Sequence, residues 1–363
     1  MTLRVALVGG PMYDPLYRLL DEEDVEIVVH ADHPTLNREV ARRLGAGERL
    51  DLISTHAKYA PSQADWLTPL DDEVDASLLD ALAPRATDLC RVRGRLLSVP
   101  RNLDVRVLWV HRDRVARVPD TWDELARGDA TFGFPGRESG LFGTFFEIVV
   151  AHGGRLFDDG GRPTMVSPEA THAVELLKTL ADRVSGALPT WHYDEVDRAL
   201  VQKHVDMAAM WPGGWAAIRS SPFRDTLAPH PYPAGPAGRF TYSGCHSWAI
   251  PRTCGDRGGA LALLHRFAGS EGARREAENG GATAHVATFA DAAATAEDDT
   301  DRRRLELTRR AIAEQMITYP PLSRFPEIED AGWSAIREAL LGERTPAEAV
   351  REVQKTAERV LAT

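Results

Sequence analysis

Apolar and polar positions alternate along this chain in two periods, and the switch between them outlines its elements. Leu3–Val8 reads as a strand, and a short helix begins over 15–21. A continuous apolar run at 25–30 predicts a second strand, of the kind buried on both faces of a sheet. Residues 36–44 keep helical spacing and stop at Gly45, a glycine placed where helices commonly end. Further strands are predicted at 50–55, 96–99, 105–110, 207–211 and 247–250. The helix predicted over 168–184 sets Ala170, Val174, Leu177, Ala181 and Val184 on one face, with Gly186 closing it. Thr121-x-x-Glu124 and Thr345-x-x-Glu348 have capping-box spacing, and Pro346 sits at a first helical position. The polar segment 291–304 reads as an exposed connection or helix end. Strands alternating with helices in this way predict an α/β fold.

Composition narrows the function classes. The 363 residues suffice for two separate cores. A formal net charge of −11 argues against broad binding to nucleic acid or an anionic membrane. Cys90, Cys245 and Cys254 make no even disulfide framework and read as structural thiols. Met1 leads straight into the first strand, without a basic and apolar leader or a cleavage site. This start predicts either an exported protein whose leader was trimmed, or, if Met1 is the native start, a cytoplasmic one. No run approaches the roughly 20 apolar residues that span a bilayer. The twelve histidines form no H-E-x-x-H pattern and no C-x2-C accompanies them. G-x-G-x-x-G, G-x-S-x-G and Walker loops are missing too, so no metal, cofactor or catalysis is expected.

Several segments, in order, carry a resemblance. They are LLSVPRNLDVRVLWVHRD (96–113), VPDTWDEL (118–125), VVAHGGRLFDDGGRPTMVSPEATHAVELLKTLADRVSG (149–186), VQKHVDMAAMWPGGWAAI (201–218), the stretch that begins YSGCHSWAIPRTCGDRGG (242–259), and LLGERTPAEAVREVQKTAERVL (340–361). Together they resemble extracellular solute-binding proteins of ABC transporters, family 1, the maltose-binding type. The resemblance implies an α/β, two-lobed periplasmic-binding-protein type II fold with a central hinge and an interlobe cleft. Carried onto this chain, it implies one lobe of 1–107 plus 252–300 and another of 108–251 plus 301–363. It also implies monomeric capture of a small polar ligand, a carbohydrate or sugar derivative, by hinge closure. An ABC permease would be the partner if the chain is exported.

Loops in the places where that family binds ligand supply the candidate residues. After the first strand these are Tyr13 and Asp14, in a turn that is otherwise purely structural. After the third they are His56, Lys58 and Tyr59, which otherwise read as solvated surface. Asp104 and Arg106 sit in an apolar context, as acceptor of ligand hydroxyls and clamp of an acidic or polar group, or as a structural salt bridge. Arg137 and Ser139 precede a helix start suited to an anion or a hydroxyl oxygen. Trp211, Gly213, Trp215, Tyr242, Ser243 and His246 supply aromatic faces and hydrogen-bonding neighbours of the sort a sugar needs. Trp215 also reads as a core residue of its helix. Arg324 completes the set. A second function class stays open: a cytoplasmic enzyme or sensor on the same scaffold, with His246, Asp104 and Cys245 as its catalytic candidates and His246 as general acid or base.

Overall fold

The structure, a computed structural model, describes every residue except Pro11, Glu22, Ser185, Glu297 and Thr363. Pro11 belongs to the turn that carries Tyr13, so that one position lies outside the described residues. The principal strands in chain order are β1 (Leu3–Val8), β2 (Val25–Ala31), β3 (Leu52–His56), β4 (Val99–Leu103), β5 (Val107–His111), β6 (Phe132–Gly133), β7 (Met207–Met210), β8 (Leu227–His230) and β9 (Cys245–Ala249). Two compact units contain them. Unit 1 holds Met1–Asp104, Gly244–Glu297 and Pro321–Ser323; unit 2 holds Val105–Ser243, Asp298–Pro320 and Arg324–Thr363. Among the described residues no helix is long and apolar enough to cross a membrane.

Unit 1 is built on a five-stranded sheet of order β2-β1-β3-β9-β4. β2 and β3 run parallel to β1, while β9 runs antiparallel to both β3 and β4. One edge of this sheet therefore collects the ends of β1, β2, β3 and β4 and the beginning of β9. Helix His33–Gly45 covers one face with Leu36, Val40 and Leu44, which join Ala6, Val8 and Ile53 in a single buried cluster. Each such side chain contributes about 1.5–3 kcal/mol by leaving water. Asp32 starts that helix: its carboxylate accepts from the Thr35 N–H at 2.9 Å. Trp248 of β9 is fully buried and stacks on Phe267, with ring centroids 4.6 Å apart.

Unit 2 has a four-stranded sheet of order β8-β5-β7-β6, with β5 antiparallel to β7 and β8 and β6 parallel to β7. Helix Glu138–Ala151 is apolar on nearly every side, and this places it in the unit's interior. Helices Pro168–Ala181 and Phe325–Leu340 pack against it. Ser167 caps the first of these. Thr345 and Glu348 form the expected reciprocal capping box on Pro346–Leu361.

Two sequence expectations need correction. β2 is not buried on both faces: it is the outermost strand of its sheet, and Ile27 is 44% exposed. The unit boundaries differ from 107/108, 251/252 and 300/301, because Cys245–Ala249 pairs into the sheet of unit 1, and the chain changes units at Asp104, Gly244 and Glu297. Residues 291–304, read as an exposed connection or helix end, contain the end of helix Val286–Ala294 and the start of helix Asp299–Arg310, where Asp298 caps the second and Asp301 pairs with buried Arg304 at 2.6 Å.

Candidate functional site

The strand directions of unit 1 explain why distant residues meet. Tyr13 follows β1, His33 follows β2, His56 ends β3, Asp104 follows β4, and His246 lies at the start of β9. Loops at the carboxyl ends of strands are the usual binding edge of an open α/β sheet. Here the antiparallel β9 delivers its first residues to that same edge. In register, His246 lies opposite His56 on one side and Asn102 on the other.

His246 is the hub. Its Nε2 lies 2.8 Å from the Asp104 carboxylate and 3.3 Å from the Tyr13 hydroxyl, and its Nδ1 lies 2.8 Å from His33 Nε2. The His56 ring stands edge-on to it, with centroids 5.1 Å apart. His56 Nδ1 accepts from the Lys58 N–H at 3.1 Å, which places the neutral ring's proton on Nε2. Tyr59 packs beside His33 and His56, and the Lys58 ammonium lies 4.9 Å from the Tyr59 ring centre. Burial, and then the neighbouring His246 charge, holds both His33 and His56 well below the ordinary histidine pKa. Behind Tyr13, Arg101 pairs with buried Glu276 at 2.7 Å, and Glu276 also accepts from Asn102 at 3.0 Å. Gly244 is required by close approach: a Cβ there would lie 1.8 Å from His56 Cε1 and Nε2.

Unit 2 presents an aromatic edge of its own. Trp211 follows β7 and is half-buried. The Arg106 guanidinium lies 4.6 Å from its ring centre, and Tyr193 meets it edge-on with centroids 4.7 Å apart. Tyr193 in turn shares a 2.8 Å hydrogen bond with the Ser139 hydroxyl. Glu138 adopts φ +56, a conformation uncommon outside glycine, and lies 3.2 Å from His192 Nε2. That histidine, followed by Arg137, holds the Glu138 carboxyl below its usual range. Asp197 is pushed up to about 8 by burial and then by Asp194, so it is protonated at neutral pH and sits beside the Gly213–Gly214 turn. Tyr242 and Tyr319 pack tilted at 34° with centroids 4.3 Å apart among buried rings, and Ser243 is buried with its N–H given to the Ile317 carbonyl.

The structure thus brings Tyr13, His56, Lys58, Tyr59, Asp104 and His246 together in unit 1, and Ser139 and Trp211 together in unit 2. Other candidates are placed differently. Asp14 accepts from the Gly10 N–H and pairs with His30 at 2.8 Å. Arg106 is fully buried in an ion pair with Glu147. Arg137 pairs with Glu138 and donates to the Thr190 carbonyl at 2.9 Å. Trp215 is buried against Trp109 and faces Arg304, so it is a core ring rather than a surface for a ligand. Arg324 pairs with Glu327 at 2.6 Å and donates to the Val360 carbonyl at 2.8 Å. Cys245 is fully buried, and desolvation raises its thiol well above the ordinary value, which removes it as a nucleophile. His33, Tyr193, Glu138 and His192 join these clusters and were not among the candidates read from the sequence. The one available signal was for His33, which directly follows the end of a strand and a helix-capping Asp32.

Two α/β units, each with polar and aromatic side chains gathered at one sheet edge, are the architecture of the type II periplasmic binding proteins. Solved structures match it over their full length. MalE3 of T. maritima with maltose bound aligns with a TM-score of 0.87 at 21% identity, covering 98% of this chain and 99% of that one. An ABC transporter solute-binding protein of Agrobacterium radiobacter K84, in complex with ribitol, aligns with 0.87 at 20% identity, covering 99% and 98%. The chain belongs to the bacterial extracellular solute-binding protein family, whose profile matches residues 14–274. A probable ABC transporter-binding protein of Deinococcus radiodurans is 25% identical over 197 residues, 48% of this chain and 47% of that protein. The match thus spans about half the length of that curated relative.

Proposed function

We propose that this chain is the monomeric solute receptor of an ABC importer and captures a small neutral polyhydroxy compound, a sugar or a polyol. The observation that carries this reading is the unit 1 cluster, Tyr13, His33, His56, Asp104 and His246. It gathers donors and acceptors of both kinds around rings that can receive C–H surface, as sugar recognition requires. The aromatic edge at Trp211 adds a second stacking surface. The bound maltose and ribitol of the structural neighbours are of the same ligand class. An anionic ligand fits less well. Arg106, Arg137 and Arg324, the arginines among the candidates read from the sequence, each already face a carboxylate in Glu147, Glu138 and Glu327.

Isothermal titration with maltose, ribitol, a sugar acid and a sugar phosphate tests the assignment, followed by mass spectrometry of each ligand. Binding of neutral compounds that are recovered intact is expected. Binding of anions alone, or recovery of a changed compound, overturns it. Hinge closure predicts a smaller radius of gyration by X-ray scattering when ligand is added. His246→Ala removes the hub and is expected to weaken binding about 10- to 100-fold, the range for hydrogen bonds that involve a charged group. Gly244→Ala displaces the His56 ring and is expected to weaken binding by a similar factor while the fold, read by circular dichroism, is kept. Wild-type affinity in both variants would place the ligand elsewhere.

A further inference from the structure

Away from the sheet edges, three helices of unit 2 converge on two imidazoles and a carboxylate. Asp123 lies in the first turn of helix Trp122–Arg127, His152 caps the end of helix Glu138–Ala151, and His172 lies near the start of helix Pro168–Ala181. One donor atom from each falls within 4.8 Å of the other two. His172 Nε2 is 3.2 Å from one Asp123 oxygen, and His152 Nε2 is 3.8 Å from the other. The two rings are 4.8 Å apart and nearly perpendicular.

The decisive group is His152. Its Nδ1 lies 2.8 Å from the Ile148 carbonyl oxygen, so Nδ1 carries the proton and donates it. In the neutral ring this leaves the Nε2 lone pair turned toward Asp123. The side chain is only 7% exposed, and Nε2 makes no hydrogen bond. A buried acceptor that faces a carboxylate, itself acceptor-only, is costly as it stands. A Lewis acid between them satisfies both. The backbone hydrogen bond that fixes the tautomer is also the outer-shell contact that metal-binding imidazoles usually have.

We propose that Asp123, His152 and His172 form a site for a divalent transition metal of the zinc class. Two imidazoles and one carboxylate are a borderline nitrogen–oxygen set, which suits zinc and its neighbours and disfavours magnesium and calcium. Tetrahedral ligation at zinc distances needs donor separations of roughly 3.4 Å. His172, 41% exposed, has room to turn inward and close the remaining gap. Solvent supplies the fourth ligand. The metal ties three helices within unit 2, holding helix Glu138–Ala151 at the end opposite Ser139, so its role is structural.

The test is zinc titration of the whole chain, freed of affinity tag and stripped with chelator, by calorimetry and thermal shift near neutral pH. The expected result is one-to-one binding in the micromolar range or tighter, with a raised melting temperature and no comparable effect of magnesium. His172→Asn and Asp123→Asn alter exposed or half-exposed groups and leave the apo fold intact. Each is expected to weaken zinc binding at least tenfold and to abolish the thermal shift. His33→Asn, in the other imidazole cluster, is expected to bind zinc as wild type does. No saturable binding, wild-type affinity in His172→Asn, or loss in His33→Asn instead would each overturn the assignment.

Discussion

Glu147→Ala is expected to destabilise unit 2 by about 3–5 kcal/mol, the cost of leaving a buried charge without its partner. The chain tolerates Glu147 in its most apolar helix only because that carboxylate is saturated. It pairs with Arg106, accepts from Tyr232 Oη at 2.7 Å and from Thr241 Oγ1 at 3.2 Å, and takes the Tyr242 N–H at 2.6 Å. The Arg106 side chain likewise gives Nη1 to Thr144 at 3.0 Å. Truncation strands the guanidinium and these donors together in a buried setting. Urea unfolding followed by circular dichroism measures the loss. Arg106→Met with Glu147→Leu removes both charges and is expected to recover part of it, but not all, since the Tyr232 hydroxyl and the Tyr242 N–H stay without an acceptor. A Glu147→Ala midpoint matching wild type would mean that solvent or a rearranged side chain compensates Arg106.

The same pair shows where sequence reasoning stops. An arginine in an apolar strand context announces an unusual environment, and both a ligand clamp and a structural pair were open for Arg106. Its partner lies 41 residues on, inside a helix whose pattern is apolar. Only the packing of that helix decides between the two readings. Caps and turns were legible because their chemistry is local: Thr121 and Thr345 stabilise the helix starts that their spacing announced. β2 was misjudged because an apolar run reports strand propensity but not position in the sheet, and an outermost strand is covered on fewer sides. Tyr13, His56, Asp104 and His246 were legible as loop residues after or before strands. Their convergence was not, because it depends on β9 running antiparallel between β3 and β4. His33 was lost for a related reason. It reads as one polar residue at a helix start, and nothing in its neighbourhood of the chain names His246 as its partner. The three helices that bring Asp123, His152 and His172 together leave no short motif.

Unit 1 is expected to lose stability as the pH falls from about 7.5 to 5.5, and His56 is expected to carry the larger share. Its folded pKa lies well below the ordinary value near 6.5, chiefly through burial and secondarily through the charge of His246. In that window the unfolded chain takes up a proton that the folded site refuses. Stability is therefore complete above the unfolded pKa and declines as the pH drops toward the folded one. For one such group the loss over this range is on the order of 1 kcal/mol. His33 is depressed in the same direction and is half-buried, so its contribution is smaller. Asp197 acts with the opposite sign. Its folded pKa is raised to about 8, and its contribution to unit 2 is present at low pH and lost as the pH rises through that value. A single stability profile therefore mixes the two, and the informative quantity is the difference between wild type and His56→Asn. The asparagine amide oxygen can still accept the Lys58 N–H, so the loop is held while the titrating ring is removed. The difference in unfolding free energy is expected to change by on the order of 1 kcal/mol between pH 7.5 and 5.5. A difference independent of pH would show that His56 is protonated as readily in the folded chain as in the unfolded one, and that the imidazole cluster holds more charge than its burial allows.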